Sequence, residues 1–322
     1  TLEFFDGNNW KTVNSYARYG AAGRGIVAGG RTPTPSSTEL DNIDYITIPT
    51  TGNAIDFGDL SANRNQAAGS GSETRGLFSG GWDGTSRLDT IEYVTIASSG
   101  NAIDFGNLTQ GRSHPGSCSS STRSIVGAGF GPNYRNEIDY VEIATIGNSL
   151  DFGDTTVARD ELTGLSSPTR GIFAGGSTPT RQSVIEFVSF ATLGDALDFG
   201  ELSRASGYLC GGGNGTRGIV VAGQTPSITD YIDQITIATT GNAVDFGGTC
   251  AVAMVSRGGS ACTKTRMVFG GGSTTAPSTT VSNHIEYITI NSNGNGIDFG
   301  DLTIAKTSPG GLSDSHGGLG GF

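Results

Sequence analysis

The sequence predicts an all-β fold, a seven-bladed β-propeller built from four-stranded antiparallel blades. The first observation behind this prediction is that three short motifs recur in the same order along the 322-residue chain, about 47 residues apart. The second is that every repeat contains four short strand-like segments separated by Gly, Ser, Thr or Pro. The chain holds 53 glycines without a Gly-X-Y period, so their number does not indicate collagen.

The most regular motif is Asp-Phe-Gly, which occurs six times at spacings of 48, 47, 47, 47 and 53 residues. Its copies begin at Asp56, Asp104, Asp151, Asp198, Asp245 and Asp298. Each copy is preceded by an arginine that opens an apolar run ending in glycines. These arginines are Arg24, Arg75, Arg123, Arg170, Arg217 and Arg266. A third motif, Ile-acid-aromatic-apolar-Thr-Ile, lies between the other two, as in residues 91–96.

One repeat illustrates how the motifs predict strands. Residues 67–72 are mostly small, which suits an innermost strand where the blades crowd around the axis. Residues 75–81 and 91–96 are rich in β-branched and aromatic residues and predict the second and third strands. Residues 101–108 contain Asp-Phe-Gly and predict the outer strand. Four short strands in a unit of this length are typical of a propeller blade.

The two ends of the chain predict how the ring closes. Residues 308–322 match the first two strands of a repeat, and residues 1–13 match the last two. Together they predict a composite seventh blade within a single domain spanning residues 1–322, since seven repeats of 47 residues nearly equal the chain length. Deletion of either end is then expected to open the ring. The alternative is a ring of six blades with unpaired ends.

The composition excludes several classes of protein. The chain has 19 basic and 30 acidic residues, a net charge of −11, which argues against binding to nucleic acid. It contains no apolar run long enough for a membrane helix and no visible signal peptide.

Because the chain begins at Thr1, we expect a processed product or one domain of a longer protein. The four cysteines form no CxxC pair, so we predict buried thiols rather than disulfides or a zinc site.

Residues that recur in every blade are predicted to be framework, whereas binding is predicted where the repeats differ. We expect the Asp of Asp-Phe-Gly to accept hydrogen bonds from turn amides or from the repeated arginine. The links from second to third strand vary, with 12, 9, 8, 8, 8 and 12 residues, and scaffolded variable loops often carry binding sites. Simple sequence drift is the alternative explanation. The candidate ligand-binding residues in these links are Trp82, Asp83, Arg87, Tyr134 and Arg135.

No catalytic set is visible in the sequence. The histidines His114, His284 and His316 fall in separate repeats, and no nucleophile elbow or metalloprotease motif is present. We therefore predict no enzymatic activity, no cofactor and no metal site. A glycosidase that uses two non-repeat carboxylates stays open, as does a Ca²⁺ ion held by acidic loops near the axis.

The glycine pair that ends the second strand resembles the kelch repeat, although the Asp-Phe-Gly strand is not part of the kelch consensus. Residues 169–176, Thr-Arg-Gly-Ile-Phe-Ala-Gly-Gly, and 51–60, Thr-Gly-Asn-Ala-Ile-Asp-Phe-Gly-Asp-Leu, resemble repeats in structural proteins of marine tailed phages, especially cyanophages. The opening residues 2–10 and the closing residues 313–320 are similar to segments of such proteins.

This resemblance implies a virion component on the particle surface, with other virion proteins as partners and an oligomeric state set by the appendage, a homotrimer being one candidate. Two functions stay open. The first is a tail-fibre module that binds a host surface glycan or protein through the variable loops. The second is a capsid or neck decoration that only docks to other virion subunits, and a carbohydrate-binding lectin outside phages is a further alternative. Neither nucleic acid nor membrane insertion is expected.

Overall fold

A computed structural model describes residues 23–33, 38–221, 223–254, 259–275 and 280–315, together with the backbone of residues 3–5 and 10–12. Within these ranges every regular element is a β-strand, so the predicted all-β class is confirmed. The strands form six four-stranded antiparallel sheets, arranged as the blades of a propeller. We number the blades 1 to 6 in the order of their arginine-led strands.

Each blade is a meander whose strands run outward from the axis, and we call them inner, second, third and outer. The inner strands of blades 1 to 6 are Gly310–Ser313, Ala68–Gly71, Gly116–Ser119, Thr163–Ser166, Cys210–Gly213 and Gly259–Cys262. The second strands are Arg24–Ala28, Arg75–Ser79, Arg123–Gly127, Arg170–Ala174, Arg217–Val221 and Arg266–Gly270. The third strands are Asn42–Thr47, Thr90–Thr95, Glu137–Glu142, Val184–Ser189, Tyr231–Thr236 and His284–Thr289. The outer strands are Ile55–Asp59, Ile103–Asn107, Leu150–Asp154, Leu197–Glu201, Val244–Thr249 and Ile297–Asp301. Two small hairpins are separate from the blades: Glu3–Phe5 with Trp10–Thr12, and Ser177–Thr178 with Thr180–Arg181.

The inner strands contact one another in a ring around the axis, and the close approach of their backbones requires small residues. A Cβ atom on Gly69 would overlap the carbonyl oxygen of Gly311 in the neighbouring inner strand. Serine hydroxyls join these strands: the Oγ of Ser119 donates to the carbonyl of Gly71 at 2.7 Å and accepts from its N–H at 3.1 Å. The placement of the small-residue strands at the axis is therefore confirmed.

The hydrophobic core consists of six clusters, one between each pair of adjacent blades. The cluster between blades 1 and 2 joins Phe57 of Asp-Phe-Gly to Phe78 and Ile96 of the next blade. In all six copies the Phe is at most 3% exposed, as expected for a side chain that packs between blades. The four cysteines are also buried and form no disulfide with one another.

The repeated arginine joins adjacent blades. Nη1 of Arg75 donates to the carbonyl of Ile143 in blade 3 at 2.7 Å, and its guanidinium lies 4.4 Å from the ring centroid of Tyr93. The other five arginines make the equivalent bond, and the bond from Arg266 to the carbonyl of Ile48 links blade 6 to blade 1. The predicted bond from this arginine to the Asp of Asp-Phe-Gly is wrong, because the arginine donates to a backbone carbonyl of another blade instead. The alternative, a bond from a turn amide, is found in blade 5, where the N–H of Gly247 donates to the Oδ1 of Asp245 at 2.9 Å.

The turn before each outer strand, which has a glycine at its second position in every blade and reads Thr-Gly-Asn-Ala in blades 1 and 5, also joins the blades. In blade 2, the N–H groups of Gly100 and Ala102 donate to the carbonyls of Phe57 and Asp59 at 2.8 Å. The Oδ1 of Asn101 accepts from the N–H of Asp59 at 3.1 Å. Each turn thus pairs with the outer edge of the preceding blade, which leaves that edge covered instead of open to another chain. The inter-blade role explains why this turn varies so little.

The acidic residue of the third-strand motif is buried and stabilises its own blade. Its six copies are at most 1% exposed, and basic residues from the preceding link pair with several of them. Buried pairs join Arg64 to Glu92, Arg112 to Asp139, Arg159 to Glu186 and Lys306 to Asp44. Buried charges need such partners, which supports the framework role of these acids.

The ring has six blades, so the predicted seventh blade is wrong and the six-blade alternative is right. Gly310–Ser313 pairs with Arg24–Ala28, which makes the C-terminal strand the inner strand of blade 1. The ends assigned to blade 7 therefore do not combine as predicted: Glu3–Phe5 and Trp10–Thr12 pair with each other, and residues 316–322 lie outside the described residues. The agreement between the chain length and the length of seven repeats was misleading, because the residues before Arg24 add no blade strand to the described structure.

Candidate functional site

The links that vary in sequence emerge on one face of the propeller. Because each blade is a four-stranded meander, the second-to-third links and the links from outer strand to next inner strand lie on the same side. We call this side the variable face. The opposite side, which carries the glycine-containing turns between third and outer strands, is the constant face.

A first set of variable residues lies directly after the glycine pair of each second strand. At this position the backbone forms one further pair of hydrogen bonds, with the link that leads into the inner strand. In blade 2, Trp82 and Asn65 exchange two hydrogen bonds of 2.9 and 3.0 Å. The six residues at this position differ in charge, size and polarity: Arg31, Trp82, Phe130, Ser177, Gln224 and Ser273.

A second set surrounds the axial opening, and we call it the axial ring. Two residues before the inner strands of blades 1 to 5, the backbone adopts a left-handed conformation with φ between 50° and 60°. Each later member donates its N–H to the carbonyl of the preceding one over 2.9–3.2 Å, so a chain of hydrogen bonds follows the opening. The members of the ring are Ser308, Gln66, His114, Glu161 and Tyr208. The equivalent position in blade 6 lies outside the described residues.

The conformation of the axial ring is costly for the residues that adopt it. A side chain in the left-handed region costs about 1–2 kcal/mol, whereas glycine enters that region without penalty. Glycine is abundant in this chain, yet five chemically different side chains occupy the ring. The backbone bonds do not require these side chains, so their presence points to a role outside the framework.

The axial ring forms the rim of a small basin on the variable face. The basin has a volume of about 90 Å³, and its floor is formed by backbone and small side chains of the inner strands, including Gly69, Gly164 and Gly311. Sites for drug-sized ligands usually measure about 300–1,000 Å³. The basin therefore suits water, an ion or the tip of a larger ligand that rests on the surrounding face.

A polar network spans blades 4 and 5 at one side of the basin. Arg181 pairs with Glu161, donates to the Oε1 of Gln224 at 2.8 Å and lies 4.9 Å from the ring centroid of Tyr208. A Cβ on Gly207 would overlap both charged groups, so only glycine leaves room for this pair. The network fixes the orientation of two axial-ring side chains.

His114 and Asp160 lie beside this network with unusual protonation equilibria. The Nδ1 of His114 is 3.9 Å from the Oδ2 of Asp160, and its ring meets that of Tyr208 edge to face at 5.4 Å. Burial and the positive charges of Arg87 and Arg181 lower the pKa of His114 to about 3. Burial raises the pKa of Asp160 to about 6, against the opposing effect of Arg181. At neutral pH the histidine is therefore neutral, and its buried Nε2 has no hydrogen-bond partner among the described residues.

An aromatic–arginine cluster lies on the blade 2 and blade 3 side of the face. The guanidinium carbon of Arg87 is 5.0 Å from the ring centroid of Trp82 and 4.6 Å from that of Phe130. Phe130 in turn meets Tyr134 edge to face at 5.1 Å. We call these four residues the Arg87 cluster.

The structure brings three of the five sequence-predicted residues together in this cluster, namely Trp82, Arg87 and Tyr134. Asp83 instead stabilises its own loop, since its Oδ1 accepts from the N–H groups of Thr85 and Ser86 at 2.7 and 2.6 Å. These bonds lower the pKa of Asp83. Arg135 pairs with Glu137 at 3.1 Å within its own loop. Whether any of the five binds a ligand stays a prediction.

Sequence reasoning missed the axial ring and Arg181. The ring residues occupy one column of the repeat, two residues before the small-residue strand, and this column changes from blade to blade, as do the columns on either side of it. Alignment of the repeats therefore does not single out this position. The left-handed backbone that sets it apart is visible only in the structure.

The described residues contain no group of three or more His, Cys, Asp or Glu side chains placed to hold a metal ion. They also include no helix of the length and apolarity needed to cross a membrane.

The fold and the face together define a class: a six-bladed propeller whose framework repeats and whose variable face differs from blade to blade. No protein-family model matches the sequence, and no curated protein matches it significantly. The function is therefore argued from the variable face itself.

Proposed function

We propose that the protein is a phage virion component, a propeller module of a tail fibre or surface appendage, that binds a glycan or protein of the host surface through its variable face. The axial ring carries this proposal. Five different side chains occupy a strained backbone position that glycine would fill more favourably. The phage assignment rests on the resemblance of the repeats, and it places the protein on the outside of the virion.

The chemistry of the face favours binding over catalysis. Aromatic rings and arginines, the residue types enriched in binding hot spots, are concentrated in the Arg87 cluster and around Arg181. Aromatic faces also stack against sugar rings, and the carboxylates and amides nearby suit sugar hydroxyls. A glycan of the host envelope is therefore the favoured ligand class.

A second candidate function, docking to other virion subunits, is favoured by an apolar girdle near the constant face. The first residue of every outer strand is apolar and more than half exposed. These residues are Ile55, Ile103, Leu150, Leu197, Val244 and Ile297. Ile146 and Leu193 add to the girdle at blades 3 and 4, where they are 57% and 56% exposed. Repeated exposed apolar side chains are typical of interaction surfaces.

Labelled protein applied to marine cyanobacterial cells tests the first proposal, with cells before and after removal of surface polysaccharide. The informative variant is Tyr208→Gly, which removes an aromatic ring while relieving a φ of 57°. We expect binding to intact cells, loss of binding after polysaccharide removal, and binding at least about tenfold weaker for this variant. Its melting temperature should stay close to that of the parent protein, because strain relief offsets the lost contacts.

The matched control is Leu150→Ser in the girdle, which should leave cell binding unchanged. Binding to none of a panel of susceptible hosts would overturn the receptor proposal. If Leu150→Ser instead prevents the protein from joining virions while Tyr208→Gly has no effect on cells, the docking function is the right one.

A further inference from the structure

We infer that Arg87 forms an anion subsite, which binds a carboxylate, sulfate or phosphate group carried by a sugar. This inference deepens the proposed function, since it names the chemical class of glycan that the variable face would take. The argument rests on the partners of Arg87, on the position of the two rings against it, and on the charges around it.

The guanidinium of Arg87 has no protein acceptor. No described carboxylate lies within 4.0 Å of it, and no described residue accepts a hydrogen bond from it. Its Nε is buried without a partner, as is that of Arg135, so the two arginines differ in their ion pairs and not in this atom. Glu137 pairs with Arg135 and Glu161 pairs with Arg181, whereas no described carboxylate pairs with Arg87. A guanidinium without an ionic partner leaves its remaining donors to an anionic group of a ligand.

The two aromatic rings leave the in-plane N–H donors of the Arg87 guanidinium available to a ligand. Trp82 and Phe130 both present a ring face to the cation, at 5.0 and 4.6 Å from their centroids. Contacts over the ring face hold the cation in place without using its N–H donors. The in-plane donors of an oriented guanidinium match the two oxygens of a carboxylate, sulfate or phosphate group. The rings also give a sugar an apolar surface to rest on.

The local charge favours an anion although the whole chain is acidic. The net charge is −11, but the groups near Arg87 do not neutralise it: His114 is uncharged at neutral pH and the charge of Glu161 is taken by Arg181. Asp160 is mostly ionised at neutral pH and Arg87 lowers its pKa, but no ion pair within 4.0 Å joins the two, so this carboxylate does not occupy the guanidinium. A positive group without a paired carboxylate selects against cationic ligands.

The test is a titration of the ¹⁵N-labelled protein, followed through the indole signal of Trp82. The probes are sodium glucuronate, glucose 6-sulfate and glucose 6-phosphate, with glucose as the neutral control. We expect saturable shifts with at least one anionic sugar and none with glucose at the same concentration. The three anionic probes also distinguish which oxyacid group the subsite takes.

Three variants make the result specific. Arg87→Gln should weaken binding of the anionic sugar at least about tenfold. The affinity of Arg87→Lys should lie between those of Arg87→Gln and the parent protein, because lysine keeps the positive charge but lacks the planar set of N–H donors. Lys264→Gln, which removes an exposed positive charge on the constant face, should bind like the parent protein. Equal shifts with glucose, unchanged binding by Arg87→Gln, or no shift with any anionic sugar would each overturn the anion subsite.

The same variant separates this inference from the proposed function. If cells are bound and Arg87→Gln binds them like the parent protein, the subsite is wrong while receptor binding stands. If the anionic sugars bind through Arg87 but no susceptible host is bound, the subsite stands and the receptor proposal fails.

Discussion

At the scale of single residues, Asp160 and His114 impose opposite pH dependences on the stability of the same cluster. The pKa of Asp160 rises from 3.8 to about 6, so the folded state holds its proton more tightly than the unfolded chain. Its favourable contribution is complete below about pH 4 and is lost as the pH rises through 6. The pKa of His114 falls from 6.5 to about 3, so its contribution is present above about pH 6.5 and lost as the pH falls towards 3.

We therefore predict that Asp160→Asn is more stable than the parent protein at pH 7 by on the order of 2 kcal/mol, and equally stable at pH 4. The variant cannot ionise, and its amide oxygen can keep the hydrogen bond that the Asp160 side chain accepts from its own backbone N–H. Urea unfolding at pH 4, 5, 6 and 7 measures the difference. Asp104→Asn, at an exposed carboxylate, is the control for the loss of one negative charge. A constant difference between Asp160→Asn and the parent at all four pH values would contradict the prediction.

Single residues also mark the limit of what the sequence predicts about the site. Trp82, Arg87 and Tyr134 were identifiable because aromatic and arginine residues stand out in loops that vary. Phe130 and Arg181 were missed as contacts, because the loops of different blades come together only through the ring geometry. Asp83 was misleading because its contacts are local: its carboxylate accepts hydrogen bonds from amides of its own loop. In the sequence alone, such a residue cannot be told apart from one that binds a ligand.

At the scale of elements, the strand positions follow from the motifs because period, composition and glycine placement agree in every repeat. The turn before the outer strand has a glycine at the same position in every repeat, but the sequence does not show what this turn pairs with. Gly106 explains the difficulty. Its φ of 145° and its contact with the backbone of Gly147 both belong to the interface with the next blade. No feature within the repeat itself reveals that contact.

This interface leads to a prediction for Gly106→Ala. A Cβ there would lie 2.5 Å from the carbonyl carbon of Gly147, and the backbone conformation is unfavourable for alanine. We expect a loss of at least about 2 kcal/mol in the free energy of unfolding, measured by urea denaturation. Gly147→Ala changes the other member of the contact, where no atom lies within 4 Å of the added Cβ, and it should be nearly neutral. Similar losses in the free energy of unfolding for the two variants would show that the turn does not stabilise the contact with the neighbouring blade.

At the scale of the whole molecule, the closing strand decides which end of the chain the ring needs. Gly310–Ser313 pairs along its full length with Arg24–Ala28 and contributes Leu312, which is fully buried. Glu3–Phe5 and Trp10–Thr12 belong to no blade. Sequence reasoning assigned both ends to one blade and so expected both deletions to open the ring. The two ends therefore differ in their importance for closure of the ring, because only the C-terminal strand fills a position in a four-stranded sheet.

We predict that removal of residues 308–322 abolishes cooperative thermal unfolding, whereas removal of residues 1–12 leaves it largely intact. The first deletion exposes the inner edge of Arg24–Ala28 and uncovers the cluster that contains Ile26 and Phe78, and an open strand edge promotes association between chains. Circular dichroism on heating, with size-exclusion chromatography, compares both deletions with the full chain. A peptide of residues 308–322 added to the first deletion should restore the cooperative transition, because it can pair as the missing strand. Cooperative melting of the C-terminal deletion without the peptide, or loss of folding in the N-terminal one, would mean that the ring is held closed by other contacts than this strand.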